Sequence, residues 1–407
     1  MPADTAALRA NRDFVLLWVG EASSQLGLQI AVVAYPLLVL GITGSAALAG
    51  VVGFARTLPW LVLSLPAGAL IDRLNRKSVM VLADGLASAA LISIPICIWL
   101  DVLTVPQISV VAFVEGACIV FFHIAETAAV RSVVRAEQLP DAIAANDGRA
   151  YAARITGTSV GGALFGLSRA LPFLVDSISY LASLFLVSAT RQSFQEPRAA
   201  RRSHFVADVA EAARWLWAQP FLRTALLLVG ASNLAFAGVT LAAVVVAKNQ
   251  GSSPFAVGLM LAFGGVGGML GAIAAPHLRR RLSPRLVVVG INWIDAVVIA
   301  AFAIAPDALV LGALLALLSF AGPTWNAVVD GYRISIIPDA LIGRAQSLDS
   351  LVAFGSASLG PLLAGVLLEA FGGDTTFVLF AGLMLGVGIA STVVGALRQL
   401  DAAPRTL

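Results

Sequence analysis

The sequence is poor in charged residues and in cysteine. Asp, Glu, Lys and Arg together make up 12% of its 407 residues, about half of the 25% found in typical soluble domains. So few charges in so long a chain argue against an ordinary soluble protein. The two cysteines, Cys97 and Cys118, lie within apolar runs and lack the spacing of metal ligands. The sequence therefore supports neither a disulfide framework nor a zinc site, and we predict no bound metal.

The sequence also lacks motifs for nucleotide chemistry. It contains no Gly-Lys dipeptide and hence no Walker A loop. Its glycine cluster at 264–268 lies inside an apolar run and does not follow a strand, which favours close helix packing over dinucleotide binding. We therefore expect no enzyme activity and no cofactor. Any work that the protein performs would draw on an ion gradient or on the gradient of its own substrate.

Long apolar segments dominate what remains. The chain is 59% hydrophobic with a mean hydropathy of +0.92, and runs of about 20 apolar residues recur along it, as in helical membrane proteins. No cleavable signal peptide is visible. We predict an all-α integral membrane protein with twelve transmembrane helices, at 14–40, 46–70, 78–100, 106–128, 143–168, 172–190, 221–246, 255–276, 285–305, 308–334, 345–371 and 375–397.

The connections between these segments differ sharply in charge. With the N-terminus inside, 22 of the 26 Lys and Arg residues are assigned to the cytoplasmic side, Arg169 and Lys248 fall outside, and Arg56 and Arg154 fall within spans. This bias predicts that both termini are cytoplasmic. Because the basic residues lie in membrane connections, the net charge of +3 does not indicate a nucleic-acid partner. The expected partners are the lipid bilayer and a small-molecule substrate.

One long polar segment and an internal repeat divide the chain. We predict a six-helix half at 1–190, a cytoplasmic loop at 191–220 and a second six-helix half at 221–407. Within the loop, Val206 to Trp217 has the composition of a helix lying at the membrane interface. Parallel repeats in transporters produce such halves. At an offset of 203 residues the matching pairs are Gly68 with Gly271, Ala69 with Ala272, Arg76 with Arg279, Lys77 with Arg280, Ala142 with Ala345, Gly157 with Gly360 and Leu164 with Leu367.

The turn after the second segment carries the strongest motif, at Gly68–Lys77. Gly68 would let two helices approach closely, Asp72 would face the positive end of a helix, and the basic residues would stay cytoplasmic. The stretch resembles motif A of the major facilitator superfamily, G-x-L-a-D-r-x-x-r-K. The matching residues are Gly68, Leu70, Asp72, Arg73, Arg76 and Lys77.

Four further stretches resemble the drug:proton antiporter branch that includes macrolide efflux pumps and enterobactin-type siderophore exporters. They are Arg12 to Trp18, Arg56 to Pro59, Leu171 to Asp176 and Ile337 to Ala345. One departure concerns the antiporter motif of helix 5, where Thr158 replaces the usual proline.

The resemblance implies a monomeric proton-coupled exporter in the bacterial inner membrane that moves drugs, macrolide-like natural products or siderophores by alternating access. It also implies that helices 1, 4, 7 and 10 line a central cavity. An importer or facilitator of a polar metabolite, and a non-transporting receptor or scaffold, remain alternatives. An importer of a polar metabolite would need more hydrogen-bonding groups in the cavity than Asn233 and Asn326 provide.

Charged residues inside the spans are expected to have a structural or functional role, because placing each one in the membrane interior costs at least about 2.5 kcal/mol. Glu115 lies near the predicted midplane, where the apolar surroundings disfavour the charged form. We predict proton coupling by Glu115 and Glu21, with a purely structural carboxylate as an equal alternative for Glu21. Arg56 cannot lose its charge, so we favour an ion pair with Glu115 or Glu21.

The remaining candidates fall into two predicted groups. The substrate cavity would be lined by Gln25, Gln29, Arg56, His123, Asn233, Trp325 and Asn326, which helix packing explains equally well in several cases. A cytoplasmic gate would be formed by Asp72, Arg73, Arg76, Lys77, Asp84, Glu126, Asp330 and Arg333. Within this gate we expect Asp84 to pair with the basic residues of the motif, Glu126 to pair with Arg76 or Arg131, and Asp330 to pair with Arg333.

Overall fold

The computed structural model describes residue 8 and residues 10–71, 73–135, 138–191, 194, 213–338 and 341–402. In these ranges every regular element is helical. The long helices, labelled in chain order, are α1 (Arg12–Thr43), α2 (Ala46–Ile71), α3 (Arg76–Trp99), α4 (Val105–Val133), α5 (Leu139–Leu167), α6 (Leu171–Ser188), α7 (Pro220–Asn249), α8 (Pro254–Arg281), α9 (Pro284–Ala301) and α10 (Ala308–Ile336).

A kink at Gly372 divides the last helical run, Ile342–Val393. Gly372 has φ 79° and ψ 179°, a conformation that residues with a Cβ avoid. We label the parts on either side α11 (342–371) and α12 (373–393). Short 3₁₀ segments follow α9 at Phe302–Ile304 and end the described chain at Gly395–Ala402. The predicted twelfth span therefore ends at Val393, four residues earlier than expected.

Local signals in the sequence explain where several helices begin. Asn11, Asn75, Thr104 and Ser283 each accept a hydrogen bond from a backbone N–H in the first turn of the helix that follows. Asp307 does the same for two N–H groups of α10. Such caps satisfy donors that a helix start otherwise leaves unpaired.

The helical runs are long and apolar enough for a membrane protein. In the described part of the chain, ten have the length and hydropathy to cross a bilayer, with Ala345–Val393 counted once. The 29-residue helix α5 is not among them. Many large apolar side chains are exposed, including Phe185 and Ile273 at 68% and 70%, as expected for surfaces that face lipid. The protein is thus a multi-pass membrane protein, while the count of twelve spans and the two-half layout stay predictions.

The described residues fall into two compact units. The first contains those of Met1–Gly44, Ala55–Ala199 and Ser252–Ala262. Here α1 packs against α5 and α6, and α3 packs against α4 and α6. Buried apolar side chains such as Leu17, Ile30 and Phe173 form its core.

The second unit contains the described residues of Ser45–Phe54, Ala200–Gly251 and Phe263–Leu407. Here α7 and α9 both pack against the run that forms α11 and α12. The N-terminal end of α2 belongs to this unit, because Glu369 Oε2 accepts hydrogen bonds from Ser45 Oγ at 2.6 Å and from the Ala47 backbone N–H at 2.9 Å.

The structure corrects one local expectation and leaves another largely outside the described residues. A Cβ atom added at Gly68 would meet no atom of the described residues within 4 Å, so this glycine does not mediate close packing between the described helices. Its repeat partner Gly271 does, because a Cβ there would collide with the backbone of Phe320 on α10. The predicted helix Val206 to Trp217 lies largely outside the described residues, but 213–218 are helical.

Candidate functional site: two buried charge clusters

The first buried charge cluster joins α1, α2 and α4 through Tyr35, Arg56 and Glu115, and we call it the Arg56 cluster. The Arg56 guanidinium donates from Nη2 to Glu115 Oε1 at 2.9 Å and from Nε to Oε2 at 3.3 Å. The Tyr35 hydroxyl donates to Glu115 Oε2 at 2.8 Å. Both carboxylate oxygens are therefore engaged, and Glu115 is fully buried. The predicted ion pair of Arg56 is confirmed, with Glu115 as its partner.

Close packing places these groups together. A Cβ atom at Gly116 would collide with the backbone carbonyl of Arg56, so α2 and α4 touch at the level of the ion pair. The Arg56 guanidinium also lies over the Tyr35 ring, 5.3 Å from its centre, and donates to the Leu28 carbonyl at 3.3 Å. Arg56 thus combines a bidentate carboxylate contact with an aromatic one, a combination that a lysine would not reproduce.

The second cluster joins α1, α4 and α5, and we call it the Glu21 cluster. Its members are Glu21, Gln25, His123, Glu126, Asn146 and Arg149. Arg149 Nη2 forms an ion pair with Glu21 Oε1 at 2.8 Å, and Gln25 Nε2 donates to the same oxygen at 3.0 Å. Glu21 Oε2 is buried and has no hydrogen-bond partner within the described residues. One oxygen of this carboxylate is therefore hydrogen-bonded, while the other can still accept a hydrogen bond, a proton or a cation.

Two further titratable members of the cluster, His123 and Glu126, lie beside Glu21. One ligand atom from each of Glu21, His123 and Glu126 lies within 4.8 Å of the other two. Glu126 is 4% exposed, and its Oε1 accepts a long hydrogen bond of 3.5 Å from Asn146 Nδ2. His123 is exposed and packs edge-on against Trp60, with ring centres 5.6 Å apart. The cluster is thus open to its surroundings on the His123 side.

The charges of the two clusters differ. In the Arg56 cluster one guanidinium balances one carboxylate. The Glu21 cluster contains one base, Arg149, and two acids, Glu21 and Glu126, so with both acids ionised and His123 neutral one negative charge is left over. Such a charge is costly in an apolar interior unless a cation accompanies it. The Glu21 cluster therefore has the composition of a cation-binding site, whereas the Arg56 cluster is saturated.

The predicted gate at motif A is only partly as expected. Asp72 lies outside the described residues, and Arg73 is exposed. Arg76 is buried and donates to the Phe194 carbonyl at 2.9 Å. Lys77 donates to the carbonyls of Ser188 and Thr190 at 2.8 and 2.7 Å. These basic residues therefore anchor the turn to the chain that follows α6.

One predicted pair of the gate is wrong, and the pair predicted between Glu126 and Arg76 is not formed. No ion pair between described residues joins Asp84 to Arg76 or Lys77, because both bases are taken by backbone carbonyls. Asp84 is 1% exposed, and its Oδ2 has no hydrogen-bond partner among the described residues. Glu126 lies beside Glu21, and among the described residues it forms no ion pair with Arg76. The side chain of Arg131 is not among those that the structure describes.

The predicted pair on α10 is confirmed. Arg333 Nη2 lies 3.1 Å from Asp330 Oδ1. Arg333 also forms an ion pair with Asp349 on α11, which the sequence did not indicate. The Asp349 side chain is 20% exposed against 50% for Asp330. The better shielded contact is thus the one that ties α10 to α11.

The predicted cavity residues are distributed over both units. Gln25 and His123 belong to the Glu21 cluster, Arg56 belongs to the Arg56 cluster, and Gln29 on α1 is half-buried. In the second unit, Asn233 Nδ2 donates to the Ala353 carbonyl at 3.2 Å, which ties α7 to α11. Trp325 is buried with no acceptor for its indole N–H among the described residues, and Asn326 is exposed. Substrate contact by these residues stays a prediction.

Sequence reasoning missed Arg149, Tyr35 and Asn146. Arg149 lies within the predicted fifth span, and a charge inside a span is itself a signal of a buried partner. Counting it with the cytoplasmic bases concealed that signal. Tyr35 and Asn146 gave no signal beyond being polar within or near apolar segments.

The fold is that of helical membrane proteins of the major facilitator type. A crystal structure of the nucleoside transporter NupG superposes with a TM-score of 0.74 at 14% identity, covering 94% of this chain and 99% of the other. An inward-facing bacterial homologue of the iron transporter ferroportin gives 0.72 at 16% identity, covering 96% and 99%. At these identities the likeness concerns the fold alone.

Comparison of sequences assigns the family. The model of the transmembrane secretion effector family matches residues 3–406, and the chain belongs to this family. The multidrug efflux pump Tap of Mycolicibacterium fortuitum is 27% identical over an alignment of 417 positions, which covers 96% of this chain and 98% of that pump. The Tap pump of Mycobacterium tuberculosis H37Rv is 28% identical over 402 residues, with 92% of each covered. The particular resemblance to macrolide and siderophore exporters is not among these matches.

Proposed function

We propose that this protein is a proton-coupled exporter of amphipathic small molecules in the bacterial inner membrane. The similarity to multidrug efflux pumps along nearly the whole chain supports export. The surplus negative charge of the Glu21 cluster supports coupling to protons, since a buried carboxylate with a free oxygen and an exposed side is a site that a proton can reach. That cluster is the observation on which the proposal depends.

The two acids predicted for coupling differ in availability. Glu115 is bound by Arg56 and Tyr35 through both oxygens, so protonation there would break contacts of a buried arginine. Glu21 keeps Oε2 free and has Glu126 beside it. We therefore assign proton binding to the Glu21 cluster, with a proton bound to one of its two acids, and we assign Glu115 to holding Arg56.

The proposed cycle is alternating access by a monomer with twelve spans, two six-helix halves and both termini in the cytoplasm. Protonation of the Glu21 cluster from outside would remove its surplus charge and favour return to the inward-facing state. Substrate binding from the cytoplasm would then accompany release of the proton inward. Each transport cycle would exchange a proton for a substrate molecule, and no step needs a cofactor.

Transport in inside-out membrane vesicles tests this proposal. Such vesicles are acidified inside by respiration, and addition of an exported amphipathic dye should partly dissipate the pH gradient and load the dye. A protonophore should abolish loading. Glu21→Gln should lose the coupled dissipation, while Asp374→Asn, which changes an exposed carboxylate on α12, should behave as the unaltered protein.

The outcomes separate the alternatives. Loading that survives the protonophore would exclude proton coupling but leave export. Uptake into right-side-out cells in place of extrusion would indicate an importer, and absence of transport for dyes and for a panel of natural products would favour a receptor or scaffold. Unchanged coupling in Glu21→Gln would remove the Glu21 cluster from the mechanism.

A further inference from the structure

The Glu21 cluster contains a set of donor atoms suited to more than a proton. Glu21 on α1 and His123 and Glu126 on α4 bring two carboxylate oxygens and one imidazole nitrogen within 4.8 Å of one another. His123 and Glu126 are three residues apart, so they project from the same side of α4. Two carboxylates with one imidazole are a donor set typical of divalent transition-metal ions.

A separate observation indicates that a ligand is expected at this place. Glu21 is 4% exposed, yet its Oε2 is buried without a partner among the described residues, while Oε1 is held by Arg149 and Gln25. Arg149 and Gln25 thereby hold one oxygen of a carboxylate that lies within 4.8 Å of ligand atoms of His123 and Glu126. A buried carboxylate oxygen without a partner is costly, and the surplus negative charge needs a cation.

We propose that Glu21, His123 and Glu126 form a binding site for one divalent transition-metal ion, with zinc as the reference ion. Three protein ligands leave a fourth position for water or a ligand, as in open zinc sites. Magnesium and calcium fit less well, since they prefer oxygen ligands and a larger number of them. Bonds of about 2.0–2.2 Å to the metal require the three atoms to lie roughly 3.3 Å apart, so metal binding would draw the side chains of Glu21, His123 and Glu126 closer together.

A zinc site was not expected from the sequence because the two cysteines lack the spacing of metal ligands. The site proposed here uses no cysteine. Cys97 and Cys118 are free thiols in the structure, and neither belongs to the Glu21 cluster. The carboxylate and imidazole donors come from α1 and α4, separated by about a hundred residues in sequence. No local spacing could therefore have indicated the site.

Zinc binding to the whole purified protein tests the proposal without any need for transport. The protein should carry an affinity tag free of histidine and be studied in detergent by isothermal titration with zinc chloride. We expect one zinc ion per chain. X-ray absorption at the zinc edge should show only nitrogen and oxygen ligands, including one imidazole, at about 2.0–2.2 Å.

Matched variants locate the ion. The chain has three histidines, His123, His204 and His277. His123→Ala, at an exposed position that tolerates truncation, should weaken zinc binding by at least about tenfold, the loss seen when even the supporting groups of metal sites are removed. Glu126→Gln should weaken it comparably. The double variant His204→Ala/His277→Ala keeps the proposed ligands and should bind as the unaltered protein does.

Three results would overturn the proposal. The first is absence of saturable zinc binding by the unaltered protein. The second is binding that is lost in His204→Ala/His277→Ala but kept in His123→Ala. The third is sulfur in the coordination shell, which would assign the ion to the cysteines. In the first case the cluster would hold a shared proton only, and the proposed proton coupling would be unaffected.

Discussion

Arg56 and Glu115 form a two-pronged ion pair between α2 and α4, with donor–acceptor distances of 2.9 and 3.3 Å. The arginine side chain is 14% exposed and the glutamate is fully buried. Both groups need each other, because a single buried charge without its partner is far less stable than the pair. The pair therefore acts as a structural connection between α1, α2 and α4, since Tyr35 on α1 joins it.

Glu115→Gln should destabilise the protein strongly. The change leaves the Arg56 charge buried without a counter-charge, and breaking a buried pair in this way costs about 3–5 kcal/mol. We expect a large drop in the thermal unfolding midpoint in detergent. The double variant Arg56→Gln/Glu115→Gln should recover much of the loss. A single variant as stable as the unaltered protein would show that the pair is not structural.

Gly116→Val should also disrupt the contact between α2 and α4. The added side chain would collide with the backbone carbonyl of Arg56, and such overpacking costs about 1–3 kcal/mol or more. Gly68→Ala is the comparison, because a Cβ there would meet no atom of the described residues within 4 Å. Yield of folded protein and thermal midpoint should fall for Gly116→Val and stay level for Gly68→Ala. Equal losses in both variants would contradict the close approach described at Gly116.

Arg149→Gln should impair both stability and transport. It removes the base that faces Glu21 at 2.8 Å and leaves two acids next to each other in an apolar region. Because the loss arises from unbalanced charge, Glu21→Gln/Arg149→Gln should regain thermal stability but not proton-coupled transport. Measuring both properties on the same preparations separates the two roles. Recovery of coupled transport in the double variant would count against Glu21 as the proton site.

The two acids that contact Arg333 should differ in importance. Asp349→Asn removes the partner at 20% exposure that connects α10 to α11, whereas Asp330→Asn removes a partner on the same helix at 50% exposure. Exposed pairs contribute only about 0–1 kcal/mol, so Asp330→Asn should shift the thermal midpoint little. Asp349→Asn should shift it clearly further. The reverse order would mean that the contact within α10 is the stronger one.

The type of fold could be predicted from local properties of the chain. Apolar runs of membrane length, basic connections and helix-capping residues act over a few neighbouring residues, so they are visible in the sequence. They indicated α1 to α4 and α7 to α10 with small shifts at the ends. The helix α5 was also expected, although it starts at Leu139, four residues before the predicted 143.

The candidate site was predictable only in part. A charged residue inside a membrane span requires a partner. On that ground Arg56 was expected to pair with Glu115 or Glu21. Which acid it contacts depends on where α2 and α4 cross, and Gly116 decides that. The incorrect partners for Asp84 have the same cause, because proximity along the chain was used where distances between helices decide.

By itself, the sequence determined that this protein is an all-helical membrane protein with buried acids and bases on its first spans. Hydropathy and charge are properties of single residues that add along the chain, so they can be evaluated without knowledge of the fold. The tertiary structure decided how those charges are divided, with Glu115 saturated by Arg56 and Tyr35 and Glu21 shared among Arg149, His123 and Glu126. That division depends on rotation and crossing of whole helices, which arise from packing contacts between residues tens to more than a hundred positions apart.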